Sequence, residues 1–225
     1  NKLWNASRFR QIQGTTDGIN ELPEVDKLSI YDIDILQKLD SLNDELSAGY
    51  SSYKFQEIAN RLYDFFWSQF CDWYLESIKV CLRNDADQSR KKTVLAVVDT
   101  ILSGYLIQLH PYMPHITEEL WEKLGFGKDG ELLMQRILPH EKILDKYDRD
   151  LVLQAGQRTN AIHEATTKAR HIKAQYNLAA NRNVKFYLQA QDSWVIDELD
   201  VFKLLSGAGE IIIDDNYEAS PGTPT

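Results

Sequence analysis

The chain is expected to be mainly α-helical: a helical bundle followed by a small α/β unit. Three observations carry that expectation. Apolar residues recur at three- and four-residue spacing in successive stretches before residue 125. Prolines and glycines punctuate those stretches where helices should begin and end. Beyond about Pro139 the pattern changes, and two short strand-like segments, Val184–Ala190 and Glu210–Asp214, flank an amphipathic run. Residues 1–140 are therefore expected to form the bundle, 141–217 a small α/β domain, and 218–225 a linker or truncation end.

The first helix spans Lys2–Ile12, with Leu3, Trp4, Phe9 and Ile12 apolar, and a loop from Gly14 to Asp26 follows, marked by Gly18 and Pro23. A second helix starts near Asp32, carries Leu36, Leu39, Leu42 and Leu46, and stops at Gly49. Ser51 or Ser52 is placed to cap a long third helix, whose stripe runs through Phe55, Ile58, Leu62, Phe65, Phe66, Phe70, Trp73 and Ile78. After a polar break at Asn84–Ser89, a fourth helix runs from about Arg90 to Leu109, burying Val94, Val98, Ile101, Leu102, Tyr105 and Leu109. Pro111 and Pro114 end it and start the fifth, since proline suits a first turn and breaks a helix interior. Ile116, Leu120 and Leu124 line that fifth helix, and Gly125 ends it. Asp148–Tyr176 reads as another long helix, with Val152, Ala155, Thr159, Ile162, Ala169 and Ile172 inward. Val184, Phe186 and Leu188 alternate as in a half-buried strand, and Ser193 is placed to cap a helix bearing Ile196, Leu199, Phe202 and Leu205.

A hydrophobic fraction of 43% with 11% aromatics fits a folded globular chain. No apolar run approaches bilayer-spanning length and the start is no signal peptide, so a membrane is not an expected partner. Residue 1 is not Met and opens inside a helical pattern, as expected of a piece excised from a longer protein. Cys71 and Cys81, if on one helix, stand ~15 Å apart, too far for a disulfide, and read as thiols of a reducing compartment; the cytoplasm is the expected location. A net charge of −9 argues against a general nucleic-acid binder, although a local basic strip can bind RNA while the remaining surface repels non-specific contacts.

Several residues invite a chemical role. Lys2, Asn5, Arg8 and Arg10 lie within three turns, and Asn5 and Arg8 share a helix face, where an amide and a guanidinium suit a phosphate and a sugar or base edge. The competing reading is that they hold the helix to its neighbours. Asp72 and Glu76 stand four apart within Phe70–Glu76 (FCDWYLE), a spacing that more often faces cations than supports acid–base catalysis. His110 and His115 lack partners at metal-ligand spacing and read as structural, so no metal site is expected. Arg90, Lys91 and Lys92 form one basic cluster at a helix start, where cations oppose the helix dipole; Lys168, Arg170, His171 and Lys173, followed by Arg182 and Lys185, form a second. Tyr31, Tyr50 and Tyr53 near helix ends are placed either to stack on unpaired bases or to cap the core. No phosphate-binding glycine loop or nucleophile motif is present.

Asn1–Phe9 (NKLWNASRF), Phe70–Glu76 (FCDWYLE) and His110–Trp121 (HPYMPHITEELW) together resemble the anticodon-binding region of class I aminoacyl-tRNA synthetases. The middle segment, and Ala169–Ala180 (ARHIKAQYNLAA), are similar to bacterial valyl-tRNA synthetases. The resemblance implies that Asn1–Leu124 is an anticodon-binding bundle and that the partner is a valine-accepting tRNA, with Asn5, Arg8, Arg90, Lys91 and Lys92 as RNA-binding residues. Neither H-I-G-H nor K-M-S-K-S, the family's nucleotide-binding signatures, occurs. The resemblance therefore implies a non-catalytic fragment with no catalytic residue and no cofactor of its own; a monomer is expected. ATP with Mg and the catalytic and editing domains would belong to the parent chain. An isoleucyl-tRNA synthetase domain is the nearest alternative, disfavoured by Phe70–Glu76 and by the lack of a cysteine zinc cluster; a helical protein-interaction module without RNA function is the other. Where the family shows Asp-Arg-aromatic at the head of the second helix, this chain has Asp32-Ile33-Asp34, which removes two expected anticodon readers.

Overall fold

A computed structural model describes residues 1–14, 21–83, 87–127, 130–135, 142–189 and 192–218. Within them the first helix, α1, spans Lys2–Ile12 as its pattern predicts, but it is turned differently. Its buried residues are Ala6, Ser7 and Arg10, while Trp4 is 40% exposed and Ile12 lies on the surface. The apolar stripe failed as a guide because the inward position is held by a charged side chain with a buried partner, described below.

Helix α2 covers Ile30–Ser51 and begins two residues before its expected start. The reason is a capping box: the Asp32 N–H donates to Ser29 Oγ (3.3 Å) and the Ser29 N–H donates to Asp32 Oδ2 (2.8 Å). Gly49 does not stop it. A Cβ there would stand 2.7 Å from Ile58 Cγ1, so glycine serves close helix approach instead. The helix ends two residues on, at Ser51, with Lys54 N–H bonding Gly49 O (2.9 Å) and Tyr53 N–H bonding Tyr50 O (3.1 Å), and Tyr53 takes the left-handed conformation (φ 58).

Helix α3 runs Phe55–Asp64. Neither Ser51 nor Ser52 caps it; their hydroxyls donate back to Ser47 O and Ala48 O. Phe65–Tyr74 continues it as a π-helix, closing with the Leu75 N–H bonded to Phe70 O, where one uninterrupted α-helix was expected. The wider turn brings Phe65, Phe66, Phe70 and Tyr74 all to the core, with Phe66 stacked on Tyr105 at 4.5 Å. A single α-turn, Leu75–Ser77, and a 3-10 segment, Ile78–Leu82, complete the run.

Helix α4 (Gln88–Leu109) is capped by Asp87, whose carboxylate accepts the Ser89 N–H (2.9 Å). Its predicted stripe is buried throughout. By length and mean hydropathy it is the one helix among the described residues that could cross a membrane, and 67% of that window is buried in the bundle, as expected of a core helix. Pro114 opens α5 (Pro114–Lys123), and Gly125 follows with φ 70.

Helix α6 (Arg149–Gln175) starts at Asp148, which accepts the Leu151 N–H, and packs along α2. Asp40 of α2 anchors the approach to it by accepting the N–H groups of Ile143 and Leu144, each at 3.0 Å. Strands β1 (Lys185–Leu188) and β2 (Glu210–Ile213) pair in parallel, Lys185 opposite Glu210 and Leu188 opposite Ile213, joined through helix α7 (Leu199–Ser206). Ser193 opens a 3-10 segment, not an α-helix, and Ile196 is left exposed on it.

His163 marks the seam between α6 and the π-helix, its ring stacked on Trp73 at 4.0 Å. Burial, aided by Lys38 and Arg170, lowers its pKa to about 4. Because the unfolded imidazole protonates near its ordinary 6.5, stability should be fully present above that value and lost as pH falls toward 4. The loss should approach ~3 kcal/mol, from about 1.4 kcal/mol per unit. Urea denaturation at pH 7 and 4.5 should show this loss shrinking in His163→Gln; an unchanged difference would contradict the assignment.

Candidate nucleic-acid interface

A groove of about 460 Å³ runs between α1 and the π-helical segment. From α1 it takes Asn1, Lys2, Asn5, Ala6 and Phe9; the opposite wall is Trp67, Cys71, Asp72, Leu75, Glu76 and Lys79. The Lys2 ammonium sits 3.8 Å from the Trp67 ring centroid and 2.6 Å from Asp72 Oδ1. Tyr63 extends the aromatic surface by stacking on Trp67 at 5.5 Å, and Trp67 is 41% exposed. Cys71 contributes no reactive thiol, since burial pushes its pKa up to about 12. Asp72 and Glu76 face Lys2 and Lys79 respectively, as their spacing suggested, and do not form a carboxylate pair.

The position of α1 is fixed by Arg10. Its Nε donates to Asp99 Oδ1 (2.5 Å) and its Nη2 to Asp99 Oδ2 (2.8 Å), with both side chains almost fully buried. Arg10 Nη1 also donates to Gly14 O, and Gln11 Nε2 reaches Lys123 O at the end of α5. The sequence groups Arg10 with Lys2, Asn5 and Arg8, and no local signal separates it from them, because its partner lies 89 residues away.

The expected RNA-binding residues divide. Asn5 is exposed and lines the groove, and Arg8 is exposed one turn along α1, outside the lining. Lys91 and Lys92 make no ion pair among the described residues, and Lys92 borders a second hollow with Lys27 and Ser89. Arg90 is different. Its Nη2 pairs with Asp32 Oδ2 (2.5 Å) and donates to Ser29 Oγ (2.9 Å), while Tyr74 Oη donates to Asp32 Oδ1 (2.8 Å). Its guanidinium is committed to the buried head of α2, which is why a cation is tolerated at the start of α4.

Two further expectations are corrected. Ile33 and Asp34 are buried at the head of α2, and Asp34 pairs with Lys38. An arginine and an aromatic at those positions would not face solvent here, so their replacement removes no reader from this surface. Part of the second basic cluster is also occupied. Arg170 Nε donates to Leu205 O (2.9 Å), and Lys173 is buried with Nζ on Gly207 O (2.7 Å), where cations satisfy the last carbonyls of α7. Lys185 pairs with Glu210. Of the tyrosines, Tyr31 is buried, Tyr50 half-buried and Tyr53 exposed. His110 closes α4 and its Nδ1 lies 2.8 Å from Thr117 Oγ1, the structural role expected of it.

Replacing Arg10 with Ala should cost about 3–5 kcal/mol, because a buried carboxylate loses its guanidinium. The apolar pair Arg10→Met with Asp99→Leu should lose less than Arg10→Ala alone. Urea denaturation checks both, and a loss below about 1 kcal/mol for the single change would show that this pair does not hold α1.

Residues 32–188 match the family model described as the anticodon-binding domain of tRNA ligase. The valine–tRNA ligase of Prochlorococcus marinus is 37% identical over 204 residues, covering 85% of this chain and 21% of that protein. That of Pseudothermotoga lettingae is 33% identical over 211 residues, 92% of this chain and 22% of the relative. The Staphylococcus haemolyticus protein of the same name is 26% identical over 224 residues, 97% and 24%. The chain thus spans about a fifth of the length of the curated relatives it matches. On the family match, the chain belongs to the anticodon-binding domains of tRNA ligases.

Proposed function

We propose that the chain holds the anticodon end of a valine-accepting tRNA. The observation that carries this reading is the groove beside α1, which gathers an amide (Asn5), an ammonium (Lys2) and an indole (Trp67) around one concavity. Unpaired RNA bases are recognised by aromatic stacking combined with hydrogen bonds to their edges; here a base would take the place of the Lys2 ammonium over Trp67, freeing that cation for phosphate, and the Asn5 side chain supplies both a donor and an acceptor. Arg8 extends the same helix face toward the phosphate backbone. Lys91 and Lys92 supply a second, sequence-independent contact, while Arg90 positions the helix that carries them. Valine specificity is supported by the names of the relatives. On this reading the chain works as one monomeric part of a cytoplasmic ligase. ATP with Mg is handled by catalytic and editing domains of the same polypeptide, and no catalytic step or cofactor falls to the residues described above.

Few phosphate contacts on an acidic protein predict weak, salt-dependent binding with a log–log slope of roughly −2 to −4. Lys91→Ala with Lys92→Ala should reduce that slope by up to ~2 and weaken all tRNAs alike. Asn5→Ala should instead cost about 1–3 kcal/mol for valine tRNA and less for a non-cognate one. Arg90→Ala should lower folding stability by about 2 kcal/mol through loss of a charged hydrogen-bond partner. Titrating both tRNAs at two salt concentrations is the measurement. Salt-insensitive binding, or none at low salt, would put a protein-interaction role ahead.

A further inference from the structure

Among the described residues, the outer edge of β1 in the small α/β unit carries no neighbouring strand. A groove of about 490 Å³, mainly apolar, follows β1 against α6, with Ala169 and Ile172 on the helix side and Phe202 of α7 at its base. Every residue from Val184 to Gln189 borders it, so it runs along the strand's edge and not over one face of the sheet. The hydrogen-bond pattern agrees. Val184 O accepts from Glu210 N and Leu188 O from Asp214 N, so the even-numbered residues of β1 face β2. In a parallel pair the N–H and C=O of one residue point to the same side, which directs those of Lys185 and Tyr187 to the opposite edge, into the groove. Two described strands alone make a marginal sheet, and an uncovered edge of this kind is a template for another strand.

We propose that this slot receives an extended segment of the same polypeptide, which adds a third strand beside β1 and places alternate apolar side chains against Ala169 and Ile172. A second copy of the chain is the poorer occupant, because β1 lies recessed between α6 and Tyr217, which stacks on Tyr187 at 3.9 Å, and an identical edge within its own groove cannot reach in. The relatives supply the source: four-fifths of their length lies outside the matched stretch, ample for one strand. The inference is independent of the RNA reading.

Residue-resolved amide hydrogen exchange, measured on the 225-residue chain and on the complete gene product, tests it. The amides of Lys185 and Tyr187 should exchange at least tenfold more slowly in the complete product. Those of Phe186 and Leu188, already turned toward β2, should change less. As a second readout, Lys185→Pro should lower the Tm of the complete product more than Lys185→Ala, and the two changes should act alike in the 225-residue chain. Equal, fast exchange of Lys185 and Tyr187 in both forms would overturn the proposal. Protection that grows with protein concentration would also overturn it, by placing a second copy in the slot.

Discussion

The bidentate bond between Arg10 and Asp99 sets the geometry on which the candidate interface depends. It crosses from α1 to the middle of α4, both partners are buried, and the two parallel N–H···O bonds fix the rotation of α1 as well as its distance. That rotation decides which side chains of α1 meet solvent. With Arg10 inward, Ala6 and Ser7 are buried, Asn5 and Arg8 are presented outward, and Lys2 reaches Trp67. An apolar residue in place of Arg10 would bury as well but would set no register. A buried ion pair is weak evidence for stability and stronger evidence for specificity of arrangement.

The opposite wall of the groove has its own constraint. Phe65–Tyr74 must send four large aromatic side chains into the core while keeping Trp67 and Asp72 facing α1, and the π-helical turn accommodates both demands. Elsewhere the acidic surface is balanced locally. Lys38, Arg90, Lys142 and Lys185 each sit on a carboxylate, and Lys173 and Arg170 sit on carbonyls at the end of α7. Arg8, Lys91 and Lys92 are among the cations that make no ion pair within the described residues. A protein of net charge −9 can bind RNA in this way at a defined strip while discouraging contact elsewhere.

The bundle was legible because its signals are local and redundant. The stripe of α4, the Pro114 start of α5 and the extent of α6 each follow from spacing and turn chemistry. What could not be read was anything decided by a distant partner. Nothing near Arg10 announces Asp99, 89 residues away, and nothing near Arg90 announces Asp32. Ser51 and Ser52 resemble caps, yet their hydroxyls turn back to α2. The π-helix escapes periodicity because its aromatic spacing also fits an α-helix. The same limit applied to the candidate site: sequence placed Asn5 and Arg8 on one face of α1 but not Trp67 opposite them.

The central claim is that RNA is bound in the groove between α1 and the π-helix. Amide chemical-shift mapping of the chain, titrated with the anticodon stem–loop of a valine tRNA, addresses it most directly. The account predicts that the largest shifts fall on Lys2, Asn5 and Phe9 and across the groove on Trp67 and Leu75, with smaller ones at Lys91 and Lys92. Shifts confined to α6 and the β1–β2 unit, with α1 unmoved, would contradict it.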